Sequence, residues 1–201
     1  MTRKAKTIEV RWDGPYSWPA FESENNLRPI PQTPGVYLQT FEYQGGYLIY
    51  AAGLTSESIP KRFKRHTRNY MNGEYNVLDI AAAQQGVRKR IWHGWTYARK
   101  HREEFEERKS IILDAVRKQL AGFRIFVTDM GMEPSVLKRE PRVLYRLEAA
   151  IMDNLYQQAS PICDIPDRGM NLRRRKVSEN PIIVRNNCAA LLHGLPALLE
   201  I

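Results

Sequence analysis

No apolar run in the 201 residues is long enough to cross a bilayer, so a membrane-spanning helix is not expected. Met1 to Val10 is basic with no apolar stretch behind it, which does not read as a secretory signal. Cysteine is scarce: Cys163 and Cys188 stand at no metal-ligand spacing, and whether a fold brings them together is open from sequence. A reducing cytoplasm is the simplest home for such a chain. Histidine is scarce too, and His93, His101 and His193 share no convergent spacing, so no metal site is assigned to them. Internal repeats and low-complexity segments are missing. Acidic residues are in deficit, 22 against 31 Lys plus Arg, for a net charge of +9.

That imbalance suits a polyanionic partner, because neutralising phosphates releases counterions. The basic residues also cluster, as KRFKRHTR at 61–68, RKR at 88–90 and RRRK at 173–176. The remaining composition, 43% hydrophobic and 26% charged, is that of an ordinary globular domain. The length fits one domain rather than two.

Residues 1–34 hold Pro15, Pro19, Pro29, Pro31 and Pro34 and no sustained period. They read as an arm packing Trp12, Trp18 and Phe21 onto a domain of residues 35–201. Two β-rich runs, GVYLQTF from Gly35 and GYLIYAA from Gly46, flank the Gln44-Gly45-Gly46 turn and predict a hairpin. Ser58 to Met71 predicts a helix with Ser58 as its cap, Pro60 in its first turn and Ile59, Phe63 and Tyr70 as its apolar stripe. Val87 to Trp95 reads as a strand. Lys100 to Leu120 reads as one amphipathic helix carrying Phe105, Ile112, Val116 and Leu120. A strand at Phe123–Thr128, a helix at Arg142–Gln158 and a short strand at Ile182–Arg185 complete the expectation. The fold class is α/β (α+β), with a small central antiparallel sheet of about three strands flanked by helices.

Three features carry chemistry. Glu148 falls on the same side of its helix as Leu144, Ile151 and Leu155, so a carboxylate sits among core-facing aliphatics. A buried charge needs a cation, a hydrogen-bond network or a metal, and Arg142 and Arg146 are the candidates for a purely structural ion pair. Arg62 and His66 share a helix face, with Asn69 one turn on. A guanidinium clamps phosphate and an imidazole donates to it or moves a proton, although the pair alone also describes a solvated basic face. Tyr37 and Tyr50 lie one in each β-run, where tyrosines commonly just fill half-buried surface.

Taken in order, Gly35-Val36-Tyr37, then Tyr50 with Gly53 and Thr55, then Arg62 and His66 on a helix, then Glu148 on a later helix, the chain resembles the GIY-YIG endonuclease superfamily. The likeness is close over Gly35–Tyr70 and looser over Arg142–Gln158. Residues 74–122 read as an elaboration. The resemblance implies a divalent-metal-dependent endonuclease, with Mg²⁺ (or Mn²⁺) held by Glu148. Tyr37, Tyr50, Arg62, His66, Glu148 and Asn171 are the implied catalytic residues, with Asn154 behind Asn171. Lys61, Lys64, Arg65, Arg68, Arg173, Arg174 and Arg175 are the implied phosphate contacts. The implied partner is nucleic acid, double-stranded DNA first, with branched DNA and RNA open. A homodimer follows if a single-site enzyme is to cut both strands.

Two departures matter. The first motif reads GVY. In the second, Tyr50-Ala51-Ala52-Gly53, the tyrosine comes one residue early, which in a regular strand would turn it to the opposite face. Either a bulge restores its aim or Ala51 holds the tyrosine's place. In the second case a nucleic-acid-binding module without catalysis is the alternative.

Overall fold

The computed structural model describes residues 6–129, 141–167 and 171–201. Its centre is a curled seven-stranded sheet built from β1 (Lys6–Tyr16), β2 (Gly35–Tyr43), β3 (Gly46–Thr55), β6 (Arg124–Asp129), β7 (Ile182–Cys188), β8 (Leu192–His193) and β9 (Leu198–Glu200). The strand order is β8-β3-β2-β6-β1-β7-β9. β1 runs parallel to β7 and β3 parallel to β8, while the other neighbours are antiparallel. The class is mixed α/β, and the expected small antiparallel sheet of about three strands is corrected to this large mixed one.

The correction has a local cause. All five prolines of the first 34 residues lie from Pro15 onward, and the stretch before them alternates Ile8, Val10 and Trp12 onto one face. That is a strand signal, hidden when the prolines are averaged over the whole segment. Pro15 itself falls where the β1–β6 register shifts, the place in a strand where a missing N–H is tolerated. At the other end, β7 joins β1 and the two-residue β8 joins β3, both partners lying far off in sequence, while the three-residue β9 pairs with β7.

A second, two-stranded sheet pairs β4 (Val77–Leu78) with β5 (Arg90–Trp92). Helices cover both faces of the main sheet. On one side lie α2 (Ile59–Met71) and α6 (Lys109–Gly122), and on the other α7 (Arg142–Tyr156). The short helices α1 (Glu22–Asn25), α3 (Ile80–Ala83), α4 (Trp95–Lys100) and α5 (Arg102–Glu107) fill the connections. The single helix expected over Lys100–Leu120 is therefore broken at His101 and Arg108, yet Phe105, Ile112, Val116 and Leu120 are all buried.

Strand alternation divides the core in two. Tyr37, Phe41, Phe63, Tyr70 and Phe123 pack on the α2–α6 side, while Val36, Leu38, Leu144, Leu147, Ile151 and Leu155 pack on the α7 side. Trp18 locks the first half. Fully buried, it stacks on Phe123 at 5.3 Å between ring centroids, tilts against Phe63 at 4.6 Å and donates its indole N–H to Thr67 Oγ1 at 2.8 Å. Trp18→Ala is expected to cost about 3–5 kcal/mol in urea unfolding, the usual loss for truncating a buried tryptophan. A loss below about 1 kcal/mol would show that the N-terminal segment is not part of this core.

Candidate active site

β3 meets β8 only at Tyr47 and Leu48. Further along, its outer edge is met by other elements. The Ala52 N–H points at Met152 Sδ of α7 at 3.3 Å, and the Tyr50 carbonyl accepts from the Asp167 N–H at 2.8 Å. These contacts bring α7 and the 164–167 segment to the edge of the sheet. Glu148, one turn before Met152, thereby joins a cavity of about 150 Å³ with Tyr37, Tyr50, Arg62, His66, Tyr75, Trp95 and Asp167.

The β2–β3 register fixes the tyrosines. Tyr37 pairs with Gly53 and Gln39 with Ala51, but Thr40 pairs with Ile49, so Tyr50 is the extra residue of a bulge. Both Tyr50 and Ala51 therefore face the cavity with Tyr37. Gly53 is needed for space: a Cβ there would overlap the Tyr37 phenol ring. Tyr50 is fully buried, with its hydroxyl beside that of Tyr70.

Tyr37 Oη lies 2.7 Å from His66 Nε2 and 3.4 Å from Arg62 Nε, which donates to it. His66 Nδ1 lies 3.2 Å from Tyr75 Oη, which also accepts from Asn69 Nδ2 at 2.9 Å. The result is a relay from the cavity through Tyr37, His66 and Tyr75. Burial, helped by Arg62, pushes His66 down to about 3, so the ring is neutral at ordinary pH and has one donor and one acceptor nitrogen. Burial raises Tyr37 to about 12 against the opposing pull of Arg62, so it is a phenol. Burial likewise raises Glu148 to about 7, with Arg62 pulling it back only in part.

Glu148 makes no hydrogen bond or ion pair among the described residues. Its two structural candidates are engaged elsewhere. Arg142 forks onto Glu179, and Arg146 donates to the Asn180 and Ile201 carbonyls. A half-buried carboxyl group with no hydrogen bond or ion pair among the described residues could take a hard divalent ion, for which oxygen is the donor. Among the described residues no cluster of three acidic, His or Cys side chains accompanies it, so water would supply the other ligands.

Comparisons with family models, with curated proteins and with solved structures found no match to this chain. The site must be read from its own residues.

Tyr37, Tyr50, Arg62, His66 and Glu148 share the cavity, and Asn171 does not. It is exposed in a left-handed turn at φ 60° and lines none of the cavities described for this chain, while Gly169 and Met170 beside it lie outside the described residues. Asn154 is also away from the site, donating to the Gly194 carbonyl. Lys61, Lys64, Arg65 and Arg68 are exposed on α2 and form no ion pair among the described residues. The other basic run is engaged within the protein. Arg174 makes a bidentate pair with Asp153 at 2.7 Å, Arg175 meets Glu200 at 3.2 Å, and Arg173 covers the Tyr145 ring.

Sequence reasoning missed Gln39, Tyr70, Tyr75, Trp95 and Asp167 as lining residues. Alternation along β2 from Tyr37 points to Gln39, and helical spacing from His66 points to Tyr70. Nothing in the sequence signals Asp167, which reaches the site through Asn76 and Arg88.

The raised Glu148 pKa has a stability consequence. A carboxyl whose folded pKa lies above its unfolded one stabilises the fold fully below the unfolded value, and that contribution is lost as pH rises through the folded pKa. Wild type should lose stability relative to Glu148→Gln between about pH 4.5 and 7, by on the order of 1–3 kcal/mol in metal-free denaturation. Parallel stability curves for the two proteins across that window would show that Glu148 is not held in a desolvated position.

Proposed function

We propose that this chain is a divalent-metal-dependent endonuclease of the GIY-YIG kind, hydrolysing phosphodiester bonds in nucleic acid, with DNA as the first substrate to test. The observation that carries the reading is one cavity holding Tyr37 bonded to His66, with Arg62 beside them and an unpartnered Glu148 opposite. Phosphodiester hydrolysis needs a cation near the phosphate, a group to accept the water's proton and a fixed charge for the developing oxyanion. Each requirement has one candidate here.

Glu148 would hold Mg²⁺ (or Mn²⁺), which when bound would supply Lewis acidity toward the scissile phosphate and its leaving oxygen. Arg62 is half-buried, so its charge acts on the non-bridging oxygens with little screening. Tyr37, protonated at rest, accepts a hydrogen bond from the attacking water. As the water's proton reaches Tyr37 Oη, the phenol proton leaves to His66 Nε2, in the tautomer whose Nδ1–H faces Tyr75. Neither group is a strong base at rest, so this transfer accompanies attack rather than precedes it. Tyr50 lines the cavity with its hydroxyl beside that of Tyr70, a role in packing. Asn171, which does not line the cavity, is given no catalytic part.

Lys61, Lys64, Arg65 and Arg68 are the phosphate contacts of this reading, because they stand free on the helix that carries Arg62.

Cleavage of supercoiled plasmid by wild type, Glu148→Gln and Arg62→Ala, in Mg²⁺, Mn²⁺ and chelator, tests the assignment. Wild type should nick only with metal, and each variant should lose on the order of a hundredfold or more, as loss of a charge-stabilising group does. A variant that folds and cuts at the wild-type rate removes its residue from the active site. Tyr50→Phe should retain most activity, since its hydroxyl is buried beside that of Tyr70 rather than turned to the Tyr37–His66 pair, and a loss as large as that of Arg62→Ala would make the hydroxyl part of the chemistry.

A further inference from the structure

A larger cavity of about 510 Å³ lies beside the site, and Trp95 and Asp167 line both. Its other walls are Asn76, Arg88, Arg90, Tyr156, Cys163, Asp164 and Pro166, and nothing in the proposed chemistry uses it. Trp95 stands between the two spaces in a conformation that a bulky residue seldom adopts, φ 58°, which is strain that packing has to hold in place. It is held. The Trp95 N–H donates to the Glu74 carbonyl at 2.7 Å, and its ring lies 4.9 Å from Tyr75. The preceding Gly94 N–H donates to Asn76 Oδ1 at 3.0 Å. The indole nitrogen donates to no described residue, and the ring is only half-buried. A strained, fixed and partly exposed indole is a preformed stacking platform.

The rest of the wall is equally rigid. Arg88 donates to the Ile165 and Pro166 carbonyls at 2.6 Å and to Asp167 at 3.1 Å, and Asn76 donates to Asp167 at 2.8 Å. The carboxylates of Asp164 and Asp167, which already accept from Ser160 and from Arg88 and Asn76, make this wall unsuitable for a phosphate. Arg90 is exposed on the wall without an ion pair among the described residues, placed for a backbone phosphate. The site cavity, at about 150 Å³, is too small for a nucleoside, while the neighbouring one falls in the range of small-molecule sites.

Resting on the nuclease reading, we infer that the cavity between Trp95 and the 164–167 segment receives an unstacked nucleobase next to the scissile phosphate, stacked on Trp95. The preferred substrate is then nucleic acid with a splayed or single-stranded nucleotide at the cut, rather than intact duplex.

The test is binding without cleavage. The full chain in chelator is titrated against a splayed-arm DNA and an intact duplex of the same sequence, at one salt concentration. Wild type should favour the splayed DNA by about tenfold or more, the scale of one base–aromatic stack. Trp95→Ala should bring the two affinities together, and Trp95→Phe should keep most of the preference. Equal wild-type affinities, or a preference untouched in Trp95→Ala, overturn the inference. Should Trp95→Ala fail to fold, photocrosslinking of wild type to 5-iodouracil at the branch decides. A crosslinked peptide containing Trp95 is expected, and crosslinks confined to other residues overturn the inference. A protein that prefers splayed DNA through Trp95 but never cuts it keeps the base site and overturns the nuclease reading. One that cuts but binds both DNAs alike does the reverse.

Discussion

The site depends on β3 running out of a strand partner. A strand edge leaves backbone donors and acceptors that must be satisfied, and β8 covers only the first part of this one. Beyond it, Met152 of α7 faces the Ala52 N–H, and the Asp167 N–H serves the Tyr50 carbonyl. Those two contacts set the position of a helix and of a connecting segment. The helix carries Glu148 to the strand edge, and the segment carries Asp167 to the wall shared by the two cavities. Had β8 continued alongside β3, the edge would be closed to both. The bulge at Tyr50 belongs to the same stretch, turning Tyr50 and Ala51 to one face while Tyr37 lies over Gly53.

Electrostatically the cavity sets three groups shifted toward their neutral forms beside the Arg62 cation, with the Asp167 carboxylate paired to Arg88 on its wall. Desolvation lowers His66, raises Tyr37 and raises Glu148, in each case favouring the uncharged form. Arg62 keeps its charge, because a guanidinium does not give up its proton in a protein. It opposes the effect of burial at Tyr37 and Glu148 and reinforces it at His66. A second cation beside Glu148 would complete the ionisation of that carboxylate and make the phenol of Tyr37 more acidic, in the way bound ions reverse local pKa logic. On the proposed reading, the resting site is preorganised but unready, and its groups are drawn toward their working protonation states together.

Parts of this were legible in the sequence for reasons that can be named. Arg62, His66 and Asn69 sit on one helix, so a period of 3.6 is enough to place them together. Glu148 betrays itself by interrupting the apolar stripe of Leu144, Ile151 and Leu155. The hairpin of β2 and β3 follows from turn chemistry. What stayed hidden was decided at long range. β1 carries a local alternation of Ile8, Val10 and Trp12, but its place in the sheet comes from β6 and β7 beside it. Tyr75 becomes a site residue through the hydroxyl that His66 and Asn69 share, and Asp167 through the Tyr50 carbonyl, Asn76 and Arg88. The one-residue offset of Tyr50 is a question of register, which strand composition does not answer.

Charge clusters illustrate the same limit. The runs at 61–68 and 173–176 look alike as strings of Lys and Arg, but their surroundings differ. Arg174 and Arg175 are matched with Asp153 and Glu200, and Arg173 lies over an aromatic ring, so this run holds α7 and the C-terminal strands together. Taking a phosphate there means first breaking an ion pair, which cancels much of the gain. On α2, Arg65, Lys61, Arg68 and Lys64 follow one another round the helix from the side of Arg62, exposed and without an ion pair among the described residues. Counterion release rewards only charges that arrive unpaired. The net charge of the whole chain therefore overstates the electrostatic footprint. On the proposed reading, the strip of α2 beside Arg62 is one part of it that can meet a polyanion, and exposed Arg90 on the neighbouring wall is another.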